Sequence, residues 1–80
     1  MSKPKINSRS LLAEVFDVDE KTIPNNINIH NYNLWDSLAH MRIILIIEEE
    51  ICRTLTTNEI IEITDMESIQ NLLTLEYQNK

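Results

Sequence analysis

Glycine is absent from all 80 residues, and that constrains the ends of the helices. Left-handed backbone positions, which glycine usually fills, must fall to residues such as Asn, the next most tolerant type. Cysteine is nearly absent too. The single Cys52 excludes an internal disulfide, and no Cys/His cluster has zinc-ligand spacing, so the core must hold the chain alone. A lone Cys with no signal-peptide pattern fits a reducing cytosol. Long apolar runs are missing as well. The longest, 43–47, is five residues, against the ~20 needed to span a bilayer.

Bases are scarce beyond the start of the chain. The net charge is −6, yet Lys3, Lys5 and Arg9 lie in the first nine residues, which hold no acid. The remaining 71 residues carry all 13 acids against four bases, a balance of −9. Nucleic-acid binding through phosphate contacts needs the opposite sign. An acidic domain attracts basic surfaces on partner proteins, or its acids simply keep it soluble. The length fits one small domain over 1–80, which buries roughly 60% of its unfolded surface. There is no repeat at solenoid spacing and no linker.

What is present reads as helices. Residues 5–16 form the first. Pro4 suits a first-turn position, because its missing N–H would be unpaired there anyway. Ile6, Leu12, Val15 and Phe16 share a face, with Leu11 at its edge. Val18 and Ile23 continue that face until Pro24 forbids further helix. Residues 24–34 form a long loop holding five Asn, which argue against a strand at Ile27 and Ile29. Ile29 and Leu34 are expected to tuck under the helices. Loops of this length in small domains are often functional.

The second helix spans 37–52, with Asp36 as its N-cap and Ser37 as its first residue. At 100° per residue, Met41, Ile44, Ile47 and Ile51 share the core face, with Ile43 at its edge. Leu38, Arg42, Leu45, Ile46 and Glu49 lie opposite. An apolar stripe there, beside Ser37, suggests a docking surface rather than a second core face. Two capping boxes follow, eight residues apart. Thr56-x-x-Glu59 opens a short third helix of about two turns carrying Ile60, Ile61 and Ile63. Thr64-x-x-Glu67 opens the last helix, with Ile69, Leu72 and Leu73 facing in, joined by Met66 and Tyr77. Short connections favour antiparallel packing of neighbours.

Asp36-Ser37-Leu38 followed by this helix resembles the attachment site of acyl carrier proteins. The resemblance extends to nearly the whole chain. Glu48-Glu49-Glu50 and Ile51 fall where many fatty-acid carriers have a Glu run followed by Phe. Phe16, Val18 and Ile23 match the apolar positions that end the family's first helix. The resemblance implies an all-α four-helix carrier bundle, with three main helices, a short third helix and a long loop between helices I and II. It implies that Ser37 receives a 4′-phosphopantetheine arm from coenzyme A. A phosphopantetheinyl transferase would attach it, with Asp36 helping to position that enzyme's magnesium. The arm's thiol would hold an acyl group as a thioester while the carrier itself does no chemistry. Loading ligases, acyltransferases and synthases would dock on helix II of a monomer.

Ala39 and Arg42 stand where fatty-acid carriers commonly have acids, and Trp35 replaces a small residue. Trp-Asp-Ser-Leu-Ala-His looks like discrete carriers of dedicated pathways, in secondary metabolism or surface-saccharide decoration, rather than housekeeping fatty-acid synthesis. Aminoacyl, D-alanyl and peptidyl carriers share the plan, so the load stays open.

Two other classes compete. Asp36, Ser37 and His40 fall within one helical turn, which invites a hydrolase reading, but helix side chains on a small surface supply no oxyanion site or pocket. Alternatively, an unmodified acidic helical module binds a partner through Leu38, Leu45 and Ile46, with Ser37 no more than a helix-start residue. On these readings His40 is solvated or meets a partner, His30 is an ordinary loop residue, and Cys52 packs near the helix end. The Glu run is either a solvated helix end or part of a docking patch.

Overall fold

The computed structural model describes residues 7–78, with side chains through Thr74. Over these residues the protein is a small all-helical domain. Four helices follow in order: α1 (Ser8–Phe16), α2 (Ser37–Ile51), α3 (Thr57–Glu62) and α4 (Met66–Gln78). A 3-10 turn, Glu20–Thr22, follows α1. The only strand-like feature among the described residues is an isolated bridge between Asn28 and Asp65, where the Ile29 N–H donates to the Thr64 carbonyl at 2.8 Å.

Helix α1 begins at Ser8, three residues later than the sequence pattern suggests, because Asn7 caps it. The Asn7 side chain accepts from the Ser10 N–H at 2.8 Å, and the Ser10 hydroxyl accepts from the Asn7 N–H at 3.2 Å. This reciprocal pair satisfies two donors that would otherwise be orphaned at a helix start. Another first-turn donor, the Ser8 N–H, reaches across to the Gln70 side-chain oxygen on α4 at 3.0 Å. Lys3, Pro4, Lys5, Ile6 and Tyr77 lie outside the described residues or their side chains.

Among the described residues, the left-handed positions do not fall to Asn. Asp17 ends α1 at φ 58° and Cys52 ends α2 at φ 59°. The Asn cluster instead builds the loop. The Asn31 side chain accepts from the Asn28 N–H, the Asn28 side chain accepts from the His30 N–H, and Asn25 takes a bond from Arg9. The Arg9 guanidinium also donates to the carbonyls of Glu20 and Ile23, so one cation fastens the segment after α1.

The core is aliphatic. Leu11, Leu12, Ile27, Ile43, Ile47, Ile63, Ile69 and Leu73 are fully buried, and Phe16 and Trp35 join them. Helices α1, α2 and α4 pack on one another. Ile27, not Leu34, anchors the loop; Leu34 is half exposed. On α2 the buried stripe is Ala39, Ile43, Ile47 and Ile51. Met41, expected in the core, is 61% exposed. Every member of the observed stripe lies four residues from the next, which keeps one narrow face inward. The small Ala39 begins it, close to the buried Trp35.

The box at Thr56 forms as the sequence suggests: Thr56 Oγ accepts from the Glu59 N–H at 3.2 Å, and Glu59 Oε1 accepts from the Thr56 N–H at 2.8 Å. The next box is shifted by one residue. Asp65, not Thr64, accepts from the Ser68 N–H at 2.8 Å, and the Ser68 hydroxyl accepts from the N–H groups of Thr64 and Asp65. Asp is as good a cap as Thr, and its neighbour Ser68 returns the bond more closely than Glu67 could.

Candidate functional site

The N-terminus of α2 is built from its cap outward. Asp36 is extended, at φ −102° and ψ −172°, and its Oδ1 accepts from the Ala39 N–H at 2.9 Å. Its backbone carbonyl accepts the first helical bond, from the His40 N–H at 2.9 Å. Ser37 follows as the first helical residue and is exposed. Because Asp36 does the capping, the Ser37 hydroxyl is not needed to start the helix. In any helix the first N–H groups have no carbonyl to reach, so those of Ser37 and Leu38 are left at the positive end of the helix dipole.

Trp35, just before the cap, is 4% exposed and stacks obliquely with Phe16 at 6.0 Å between ring centroids. Its indole N–H donates to His40 Nδ1 at 3.1 Å. Indole nitrogen can only donate, so Nδ1 must be the unprotonated nitrogen of His40. Nε2 then carries the proton and donates it to the Ile60 carbonyl of α3 at 3.2 Å. His40 is therefore not a solvated residue. Both its ring nitrogens are taken, one by Trp35 and one by Ile60.

Ser37 sits on the rim of an open groove of about 570 Å³. The groove is lined by Ile29, Trp35, Asp36, His40, Met41, Ile44 and Ile60 as well as Ser37. Its walls are α2 on one side and α3 with the loop on the other. A second, smaller depression lies on the opposite flank of α2, between Phe16, Leu34, Leu38 and Arg42.

The expected docking stripe divides. Leu38 and Leu45 are 62% and 59% exposed, and Arg42 and Glu49 are exposed with them. Ile46 is half-buried and packs against the core, so it belongs only partly to the surface. Met41 joins the exposed set from the core side. Together Leu38, Met41, Arg42 and Leu45 form a ridge whose i, i+3, i+4 spacing continues from Ser37 along the helix.

The Glu run divides as well. The Glu48 carboxylate accepts from the Leu55 N–H at 2.8 Å and ties down the turn after α2, whereas Glu49 is exposed. Cys52 is exposed, because its left-handed backbone turns the chain away from the core. Among the described residues, no group of three or more His, Cys, Asp or Glu side chains is placed to hold a metal ion. None of the described helices is long and apolar enough to cross a membrane.

One carboxylate is strongly perturbed. Glu59 forms a two-pronged pair with Arg53, at 2.9 and 2.7 Å. That hydrogen bonding, helped by the Thr56 N–H, lowers its pKa from 4.5 to about 2. The pair belongs to the start of α3 and lies outside the groove beside Ser37.

No protein-family model matches this sequence, and no curated protein matches it.

Proposed function

We propose that this protein is a discrete acyl carrier with the four-helix carrier bundle, tethering its load at the Ser37 hydroxyl through a 4′-phosphopantetheine arm. The observation that carries this reading is the separation of roles at the α2 N-terminus. Asp36 closes the helix, and the adjacent hydroxyl is exposed on the rim of an apolar groove.

The residues present suit the arm. A phosphodiester on the first helical residue gains about 0.3–1 kcal/mol from the helix dipole and the free N–H groups of the first turn. Asp36 uses one carboxylate oxygen for the cap, which leaves the other for the magnesium of a phosphopantetheinyl transferase. When attached, the arm supplies a thiol that holds an acyl group as a thioester.

The groove favours an apolar load over an aminoacyl one. Ile29, Trp35, Met41, Ile44 and Ile60 offer such a load surface to cover, whereas an ammonium would lose water there with only Asp36 to meet it. The ridge of Leu38, Met41, Arg42 and Leu45 is where loading ligases, acyltransferases or synthases of a dedicated pathway would dock. Their matching surface would be apolar with an acid opposite Arg42.

Intact mass after incubation with coenzyme A and a promiscuous phosphopantetheinyl transferase tests the reading. The expected result is a gain of one phosphopantetheine, abolished by Ser37→Ala. Since Asp36 keeps the cap, that substitution should cost less than about 0.5 kcal/mol in stability. An unchanged mass for a folded wild-type protein would leave an unmodified helical interaction module as the better reading.

A further inference from the structure

The bridge from Trp35 through His40 to Ile60 has no part in attaching an arm, yet it crosses the groove beside Ser37. Trp35, His40 and Ile60 all line that groove, and His40 joins its α2 wall to its α3 wall. The Ile60 carbonyl is one of the last four in α3, which have no partner further along the helix apart from the turn that closes it. It accepts from the Ile63 N–H at 3.3 Å in that turn, and His40 adds a second bond from another helix.

Helix α3 is held mostly from its flanks: Ile60 is partly buried against the core, and Leu55 before the helix and Ile63 after it are buried. None of its six residues is buried, and α1, α2 and α4 pack mainly on one another rather than on it. Its other polar ties, Arg53 to Glu59 and the capping box, fix its start.

We propose that His40 is a gate residue: its two hydrogen bonds hold α3 against α2 and set how wide an apolar group the groove beside Ser37 admits. The bond donated to Ile60 resists separation of the walls, and the bond accepted from Trp35 keeps the imidazole in the tautomer that can donate. Of the groove-lining residues only Asp36 and His40 are ionisable, so no salt bridge within the groove duplicates this link. The tethered load enters the inference only through the carrier reading; the gate itself is a property of the unmodified protein.

The test uses unmodified protein and n-octanol as an apolar probe, followed by the NMR shifts of the Trp35 indole N–H. His40→Ala removes the bridge and should tighten octanol binding at least three-fold. His40→Gln can both accept from indole and donate to a carbonyl, and should stay within two-fold of wild type. Equal binding by all three proteins, or Gln behaving as Ala does, overturns the gate. If His40→Ala does not fold, wild type decides. Saturating octanol should weaken the through-bond coupling between His40 Nε2 and the Ile60 carbonyl carbon, and an undisturbed coupling, or no octanol binding, refutes the proposal.

A second arm compares octanoyl-loaded proteins, in which thioester hydrolysis should slow at least three-fold in His40→Ala. Failure of arm attachment would count against the carrier reading alone, because the octanol result does not need Ser37.

Discussion

Helix α2 and helix α3 are neighbours held in different ways. Along α2, Ala39, Ile43, Ile47 and Ile51 are all buried, and the helix packs on α1 and α4. In α3 no residue is buried, and Ile61 is 66% exposed. Apart from the partly buried Ile60 and the buried flanks Leu55 and Ile63, polar contacts locate α3: a capping box, the Arg53–Glu59 pair and the His40 bond to Ile60. Area burial is strong and indifferent to direction, whereas a few hydrogen bonds are weak singly but fix a position. The groove beside Ser37 lies between these two kinds of element. One wall is held by a buried stripe, and the other by its buried flanks and a few hydrogen bonds.

The largest test of that contrast is truncation on either side of it. Ile47→Ala should cost about 2–5 kcal/mol, because it removes buried methyl groups and leaves a cavity. Ile61→Ala should stay within about 0.5 kcal/mol, since its side chain is already in water. Urea midpoints measure both, and comparable losses would mean that α3 contributes to the core after all.

Thr56→Ala should cost about 1 kcal/mol, the usual value of a lost N-cap. The loss should be local. Amide hydrogen exchange should speed up in residues 57–62 while the amides of Ile43 and Ile47 keep their protection. Uniform acceleration throughout would show that α3 unfolds only with the whole domain.

Cys52→Gly concerns the joint between the two helices. A non-glycine residue in the left-handed region carries a cost of roughly 1–2 kcal/mol, partly offset by glycine's greater chain entropy. A net gain of about 0.5–1 kcal/mol in thermal or urea unfolding is expected.

The smallest effect is electrostatic. The Glu59 carboxyl is lowered to about 2 from 4.5, so its pairing stabilises the fold above about pH 4.5. That contribution fades as pH falls towards 2, because in that range the unfolded state binds a proton that the folded carboxyl does not take up. Glu59→Gln should therefore be less stable than wild type at pH 6, by no more than about 1 kcal/mol for a partly exposed pair. The two proteins should converge by about pH 2, measured by urea titration at each pH.

Much of this arrangement was readable in the residues. The order of the helices, the Asp36 cap, the Thr56 box and the burial of Ile47, Ile69 and Leu73 follow from local rules. The rotation of α2 does not. Five apolar residues at 43–47 wrap around the helix, so periodicity does not choose between Met41 and Ile43 as the inward position. The choice belongs to the helices packed against it. The same limit explains Leu34, which is exposed because Ile27 and Trp35 fill the space beneath the loop. The docking stripe was half legible: Leu38, Arg42, Leu45 and Glu49 are at the surface, while Ile46 leans into the core.

The bridge through His40 had no sequence signal, for Trp35 lies outside the helix, His40 inside it and Ile60 20 residues further on. What the sequence determined alone was local: where backbone donors needed caps, where proline forbade helix, and where an Asp-Ser pair opened the most apolar segment. Only the tertiary structure decided which face of α2 turned inward and which polar groups met across the groove. Those outcomes depend on the free energy of surfaces from distant segments being buried together, and no window along the chain contains that quantity.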